Sequence, residues 1–207
     1  GHFARYLSVL KHVDRVAPIS QAAGQEFLGW RAMLAGTGLP GPQVSPVLLP
    51  AQAPSDDPAL DQAVRAELAG DGRPVVLVVG SHEPRKNHLA VLHAAELLWR
   101  RGLDFRLALV GGRGWGSEPF YDRVEELRAA GRPIVLPRDV DDARLFAAYR
   151  VARSTVFPSL NEGYGLPVAE SLACGTPVVT SAFGSMAEIA AQGGALIAPE
   201  TVRRLAC

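Results

Sequence analysis

Lysine is almost missing from this 207-residue chain. Only Lys11 and Lys86 occur, although basic residues number 21, so nearly all the positive charge is arginine. A lysine inside a loop motif stands out against that background. Acidic residues also number 21, and the formal net charge is zero. That balance gives no general electrostatic reason to expect nucleic acid or an anionic membrane as partner. Cysteine is scarce as well. Cys174 and Cys207 make no disulfide framework, which fits a reducing compartment and predicts a cytoplasmic location. No apolar run approaches membrane-spanning length and the first residues lack a signal-peptide pattern, so peripheral membrane association is the most that is expected. Position 1 is glycine rather than methionine, and the chain is expected to begin inside a longer protein.

What the chain does have is apolar residues, 48% of the total, enough for a sizeable core. Residues 1–37 read as helix, strand and helix, with Val16–Ile19 a short apolar segment, Ser20 an N-cap and Gln21–Leu34 helical. From Gly36 to Pro58 the composition shifts to Pro, Gly, Ser and Asp, with Val47–Leu49 as a short strand inside the linker. From Asp57 the pattern becomes regular. Helices at Pro58–Leu68, His88–Arg101, Pro119–Ala130, Asp142–Tyr149, Leu166–Cys174 and Ser185–Ala191 each precede a strand. The strands are Val75–Val79, Phe105–Val110, Ile134–Leu136, Ser154–Phe157, Val178–Thr180 and Ala195–Ile197. Another helix is expected over Thr201–Ala206. Such alternation predicts an α/β fold, a Rossmann-like parallel sheet with helices on both faces. Ligands of these sheets bind beyond the carboxyl ends of the strands, which points to loops 80–87, 111–117, 137–141, 158–165 and 181–184.

The most informative stretch is Phe157 to Thr180. Pro158 helps to end a strand, and Asn161, Gly163 and Gly165 make a glycine-broken loop. Pro167 sits in the first turn of a helix, Gly175 closes it, and Pro177 opens the next strand. Glu162 lies in the loop and Glu170 one turn into the helix. Side chains tilt toward a helix N-terminus, so both carboxylates can address a group held there. The exposed N–H groups and the dipole favour an anion at that place. Phosphate donors beside two hydroxyl-accepting carboxylates suit a sugar linked to a nucleoside diphosphate.

The run Glu162-Gly163-Tyr164-Gly165-Leu166-Pro167-Val168-Ala169-Glu170, followed by Cys174-Gly175-Thr176-Pro177-Val178-Val179, resembles the nucleotide-sugar motif of the retaining, GT-B-fold glycosyltransferases of family 4, also called glycosyl transferases group 1. A second segment, Gly80-Ser81-His82-Glu83-Pro84-Arg85-Lys86-Asn87, resembles the family's Glu-Pro-Arg-Lys-Asn loop, whose basic residues hold the donor diphosphate. Many members carry arginine directly after the strand glycine, where this chain has Ser81. Two cations at a helix start oppose the helix dipole, and a bound diphosphate would reverse that preference.

The resemblance implies a sugar transfer from a nucleoside-diphosphate sugar to a glycan, lipid or polysaccharide precursor, with retention of anomeric configuration. It implies residues 1–56 as the end of an acceptor-side α/β domain with its linker. Residues 57–207 are then the donor half of a GT-B fold, truncated at its C-terminus. Glu162, Arg85 and Lys86 take catalytic roles. Donor contacts fall to Gly80, Ser81, Arg138, Val140, Glu162, Gly163, Tyr164, Gly165, Leu166 and Glu170, with Arg138 and Val140 at the nucleobase. Glu162 takes the sugar hydroxyls and Glu170 the ribose. No metal or other cofactor is implied, and the donor is a substrate. By itself the chain is expected to bind nucleotide weakly and not to transfer sugar.

Other readings compete. Asp139-Val140-Asp141 has the Asp-x-Asp pattern of metal-dependent GT-A enzymes, but Asp141 or Asp142 is well explained as an N-cap. Gly111-Gly112-Arg113-Gly114-Trp115-Gly116 lacks dinucleotide-fingerprint spacing and reads as a flexible wall of the site. His82 stands near enough to the phosphate loop to reach a ligand, although a lone histidine is more often structural. A paired-carboxylate glycosidase would not need a diphosphate cradle. A nucleotide-sugar binding module without turnover and a GT-B epimerase are the remaining alternatives. No set of acid–base residues for epimerisation is evident.

Overall fold

A computed structural model of the protein describes residues 2–193 and 196–198, with side chains through Ala191. The chain divides into two compact units. One comprises Gly1–Pro50 together with Glu162–Tyr164, the other Ala51–Asn161 and Gly165–Cys207.

The smaller unit contains α1 (His2–Leu10), β1 (Arg15–Val16), α2 (Gln21–Ala35) and β2 (Gln43–Val44). β1 and β2 pair in parallel. Ser20 caps α2 as its position predicts, its Oγ accepting from Ala23 N at 3.0 Å. The strand expected at Val47–Leu49 lies instead at Gln43–Val44. Ser45 N and Val47 N still donate to Val16 O and Pro18 O, but Pro18 has no N–H to return to Ser45 O, so the ladder does not continue as a strand.

The larger unit opens with α3 (Pro58–Ala69), whose cap Asp57 accepts from the amides of Ala59 and Leu60. There follow β3 (Val75–Val79), α4 (His88–Arg100), β4 (Arg106–Val110), α5 (Glu118–Ala129) and β5 (Ile134–Val135). The chain then makes α6 (Asp142–Val151), β6 (Ser154–Phe157), α7 (Leu166–Ala173), β7 (Val178–Ser181), α8 (Gly184–Gly193) and β8 (Leu196–Ala198). Each expected strand of this region is present, within a residue or two of its expected ends. Of the strand expected at Ala195–Ile197, Ala195 lies outside the described residues, as does the helix expected at Thr201–Ala206.

Six parallel strands form one sheet in the order β5-β4-β3-β6-β7-β8. Right-handed crossovers put α4 and α5 on one face and α6, α7 and α8 on the other. Alternation along β3 and β4 feeds both faces. Val75, Leu77, Ala108 and Val110 join Val64, Leu68, Ala147 and Tyr149 from α3 and α6. Val78, Leu107 and Leu109 join Val91, Leu92, Phe120 and Val124 from α4 and α5. The sheet is therefore buried on both sides, and polar function is left to its edge of loops. Among the described residues no helix is long and apolar enough to cross a membrane.

Candidate functional site

The strand order fixes where a ligand can sit. β3 and β6 pair directly, yet the chain leaves β3 toward β4 and β6 toward β7. This is the switch point of the sheet, where ligands of open α/β folds bind beyond the carboxyl ends of the strands.

Glycine ends both β3 and β4. Gly80 has φ +138 and Gly111 φ +155, a region that side chains rarely allow. A Cβ on Gly111 would lie 2.0 Å from Gly80 O, so the two strand ends touch backbone to backbone. On its other side a Cβ at Gly80 would be 3.6 Å from Lys86 Cε, which places the lysine stem along the strand end. Pro84–Lys86 forms a single 3₁₀ turn, and Asn87, with φ 58, stops it and opens α4.

This turn is stitched to the loop after β6. Arg85 Nη1 donates to Asn161 O at 2.6 Å, Leu160 N to Arg85 O at 2.9 Å, and Asn87 Nδ2 to Pro158 O at 3.3 Å. Lys86 Nζ stands 5.1 Å from the centroid of the Phe157 ring at the end of β6. Glu83 Oε1 accepts from Arg85 Nη2 at 2.7 Å and from Ser81 Oγ at 3.2 Å. Glu83 thus orients Arg85 and offsets part of its charge. Sequence reasoning missed that role, for which a residue spacing of two gives no signal.

The glycine-rich loop after β4 is not a loose wall. A Cβ on Gly114 would come within 2.9 Å of Glu83 Cβ, and one on Gly116 within 3.2 Å of Pro84 Cγ. His82 N donates to Gly112 O at 2.9 Å. Arg113 lies 4.1 Å over the Tyr121 ring, while Trp115 is exposed. His82 is buried and stacked on Phe120, 4.3 Å between centroids, so its ring belongs to the interior.

α7 begins at the same edge. Gly165 caps it with φ +109, close against Met186, and exposed Leu166 is its first residue. Glu170 is half-buried, and its Oε2 accepts from Tyr149 OH at 2.8 Å. Tyr149 is wholly buried. Burial first, and then the Glu170 charge, push its phenol pKa far up, so it stays a donor. Thr176 Oγ1 donates to Tyr149 O, and Ser171 bridges Thr155 Oγ1 and Thr176 O, which fixes the ring and the helix that carries Glu170. Tyr149→Phe is expected to lower folding stability by about 1.5–3 kcal/mol, the usual worth of a hydrogen bond to a charged group. Urea denaturation measures it, and an unchanged midpoint would mean that the bond is immaterial.

In the loop after β5, Arg138 is exposed, Asp139 has φ 53, and Val140 packs on the core between α3 and α6. Asp141 caps α6, its Oδ1 accepting from Arg144 N at 2.9 Å, which accounts for the second aspartate of the Asp-x-Asp pattern.

Glu162, Gly163 and Tyr164 group with the smaller unit. Gly163 O accepts from Ser20 Oγ at 2.7 Å, and buried Tyr164 donates from its OH to Leu49 O at 2.6 Å. Glu162 is half-buried. That the centre of the motif packs with the first fifty residues carried no sequence signal.

Comparison with known proteins bears on this geometry. The family model for glycosyl transferases group 1 matches residues 61–206, which takes in both stitched loops and α7. The chain belongs to the glycosyl transferases group 1 family. It is 30% identical over 196 residues to the serotype-specific mannosyltransferase WbdA of Escherichia coli, covering 91% of this chain and 24% of that protein. It is 37% identical over 139 residues to O-antigen chain mannosyltransferase B of Escherichia coli, covering 66% of this chain and 35% of the relative. The chain thus spans about a quarter to a third of the length of these relatives. Among solved structures, the Escherichia coli protein described as trehalose-6-phosphate bound with UDP-2-fluoro glucose superposes with TM-score 0.77 at 15% identity. That match covers 99% of this chain and 54% of the other. As a group 1 domain, the chain has the Rossmann-like architecture of GT-B glycosyltransferases.

Proposed function

We propose that this chain is the donor-binding part of a retaining glycosyltransferase of family 4, with residues 57–207 as donor domain and residues 1–56 as the end of an acceptor-side domain. The observation that carries the reading is the cationic turn Pro84–Lys86, tied across the β3/β6 switch point. In sugar transfer from a nucleoside-diphosphate sugar, the bond broken joins the anomeric carbon to the diphosphate. The main demand is to stabilise negative charge on the leaving group with fixed cations and aimed N–H groups. Arg85 and Lys86 serve as the cations, and the amides near the start of α7 serve as the dipoles. With those charges fixed, no metal is required.

Glu162 holds hydroxyls of the donor sugar, and Glu170, oriented by Tyr149, holds those of the ribose. Gly80 and Ser81 line the diphosphate, while Arg138 and Val140 lie at the nucleobase. The mannosyltransferase relatives favour a mannosyl or related donor and a glycan or lipid-linked acceptor.

Two measurements test this. GDP-, UDP- and ADP-sugars are screened by thermal shift, where a ligand at a hundred times its Kd adds about 2.7 kcal/mol. Glu170→Ala is then compared with Glu162→Ala. The first is expected to weaken binding of the free nucleoside diphosphate. The second is expected to leave that binding nearly intact and to lose turnover. If both variants bind the free nucleotide like the parent, the ribose role of Glu170 is wrong.

A further inference from the structure

The turn that carries Arg85 and Lys86 lies between two buried histidines for which sugar transfer has no evident use. His82 comes just before the turn and His88 just after it, 2% and 4% exposed. Both pack on Phe120 of α5, with ring centroids 4.3 and 5.5 Å away, and the two imidazoles stand 5.3 Å apart, edge to face. His82 Nδ1 is 2.7 Å from Tyr121 OH. His82 Nε2 and His88 Nδ1 are both buried without a hydrogen-bond partner from the protein.

The two rings line one cavity of about 130 Å³, whose other walls include Glu83, Asn87 and Pro119. Burial lowers the pKa of His82 to about 4. Burial, with the nearby charges of His82 and Lys86, lowers that of His88 to about 3. Both imidazoles are therefore neutral at pH 7, each with one donor and one acceptor nitrogen. A buried polar atom without a partner is rare, and here two belong to rings that line one cavity. Room for one water needs only about 10–15 Å³. Among the described residues no group of three His, Cys, Asp or Glu could hold a metal ion, so water fits this cavity better.

We propose that His82 and His88 are positioning residues that share an ordered water, His82 Nε2 to water to His88 Nδ1. The bridge ties the two ends of the turn to each other, while the His82–Tyr121 bond and the Phe120 ring hold them against α5, and together they keep Arg85 and Lys86 in place for a diphosphate. The inference rests on the reading of that turn as the diphosphate site. It reaches further, in assigning the order of the turn to a hydrated pair behind it.

The test uses inorganic pyrophosphate as probe, titrated calorimetrically into the 207-residue chain, with Tm recorded in parallel. His88→Leu is expected to weaken pyrophosphate binding roughly tenfold, within the range of coupling seen for neighbours in one network. His88→Asn, which keeps a hydrogen-bonding group near the Nδ1 position, should recover most of that loss. Equal binding by His88→Leu and the parent would overturn the inference, as would His88→Asn binding no better than His88→Leu. Lys86→Ala separates the two levels. If it loses pyrophosphate while His88→Leu does not, the bridge is wrong and the diphosphate site stands. If neither loses it, the site reading has failed, and the bridge with it. Should His88→Leu fail to fold, ring ¹⁵N NMR of the parent decides. Single neutral tautomers that shift on adding pyrophosphate support the bridge, and averaged tautomers that ignore pyrophosphate overturn it.

Discussion

Lys86→Ala is expected to lower kcat/KM for sugar transfer by about a hundredfold or more, the usual cost of removing one anion-stabilising donor. The lysine is held rather than waving in solvent. Its stem lies along Gly80, and its ammonium sits over the Phe157 ring at the end of β6. Aromatic and backbone surroundings there exclude part of the water that would otherwise screen the charge, so its field on a leaving diphosphate is stronger than that of a surface lysine. Arg85, the neighbouring cation, is partly neutralised by Glu83. Removing Lys86 takes away one of the two cations of the turn. The loss should appear in kcat as well as in KM, because charge on the diphosphate grows as the bond breaks. Steady-state kinetics of the variant in the complete enzyme measures this, with Tm as the control for folding. Near-parental kinetics would remove Lys86 from the site.

Among the described glycines, Gly111→Ala should be the most damaging replacement by alanine. The new Cβ would fall 2.0 Å from a backbone oxygen, at a φ of +155 that alanine strongly resists. No side-chain rotation relieves either problem, since both partners are main chain. β3 and β4 would have to separate where they pair over five positions. A loss of more than about 3 kcal/mol is expected, beyond ordinary overpacking. Denaturant unfolding, or failure to recover soluble protein, reads the effect. A stability within 1 kcal/mol of the parent, an ordinary margin for a tolerated substitution, would mean that the contact is not kept in solution. Gly114 also faces atoms that cannot rotate away, the Cβ and main chain of Glu83, but at 2.9 Å and beyond, so its replacement should be milder.

Much of this architecture was legible from residue order alone. The run Val75–Val79 has strand length and β-branched composition, and Ser20 and Asp141 stand where a helix needs an acceptor. Those signals are local, so they survive without knowledge of the fold. β2 escaped notice because it is two residues long and is defined by its partner rather than by its own pattern. The Tyr149 to Glu170 bond joins neighbouring helices across the β6 connection, and the contact of Gly111 with Gly80 depends on the register of two strands. The pairing of His82 with His88 around Phe120 depends on how α5 returns to the sheet. Such contacts come from tertiary placement, which no spacing rule encodes. The diphosphate and carboxylate motifs were readable because their residues lie together in sequence. What holds them was not, because it does not.

The bond from Ser20 to the carbonyl of Gly163 has a consequence in time. Its partners lie 143 residues apart. A ribosome adding about 5–20 residues per second needs roughly 7–30 s to pass from one to the other. Through that interval the segment around Ser20 lacks the tripeptide that finishes its packing. The hydroxyl of Ser20 waits for the carbonyl of Gly163, and the carbonyl of Leu49 for the phenol of Tyr164. The smaller unit is therefore early in synthesis and late in completion. A nascent-chain protease pulse should find it cleavable until the Glu162 motif has been made, and protected soon after.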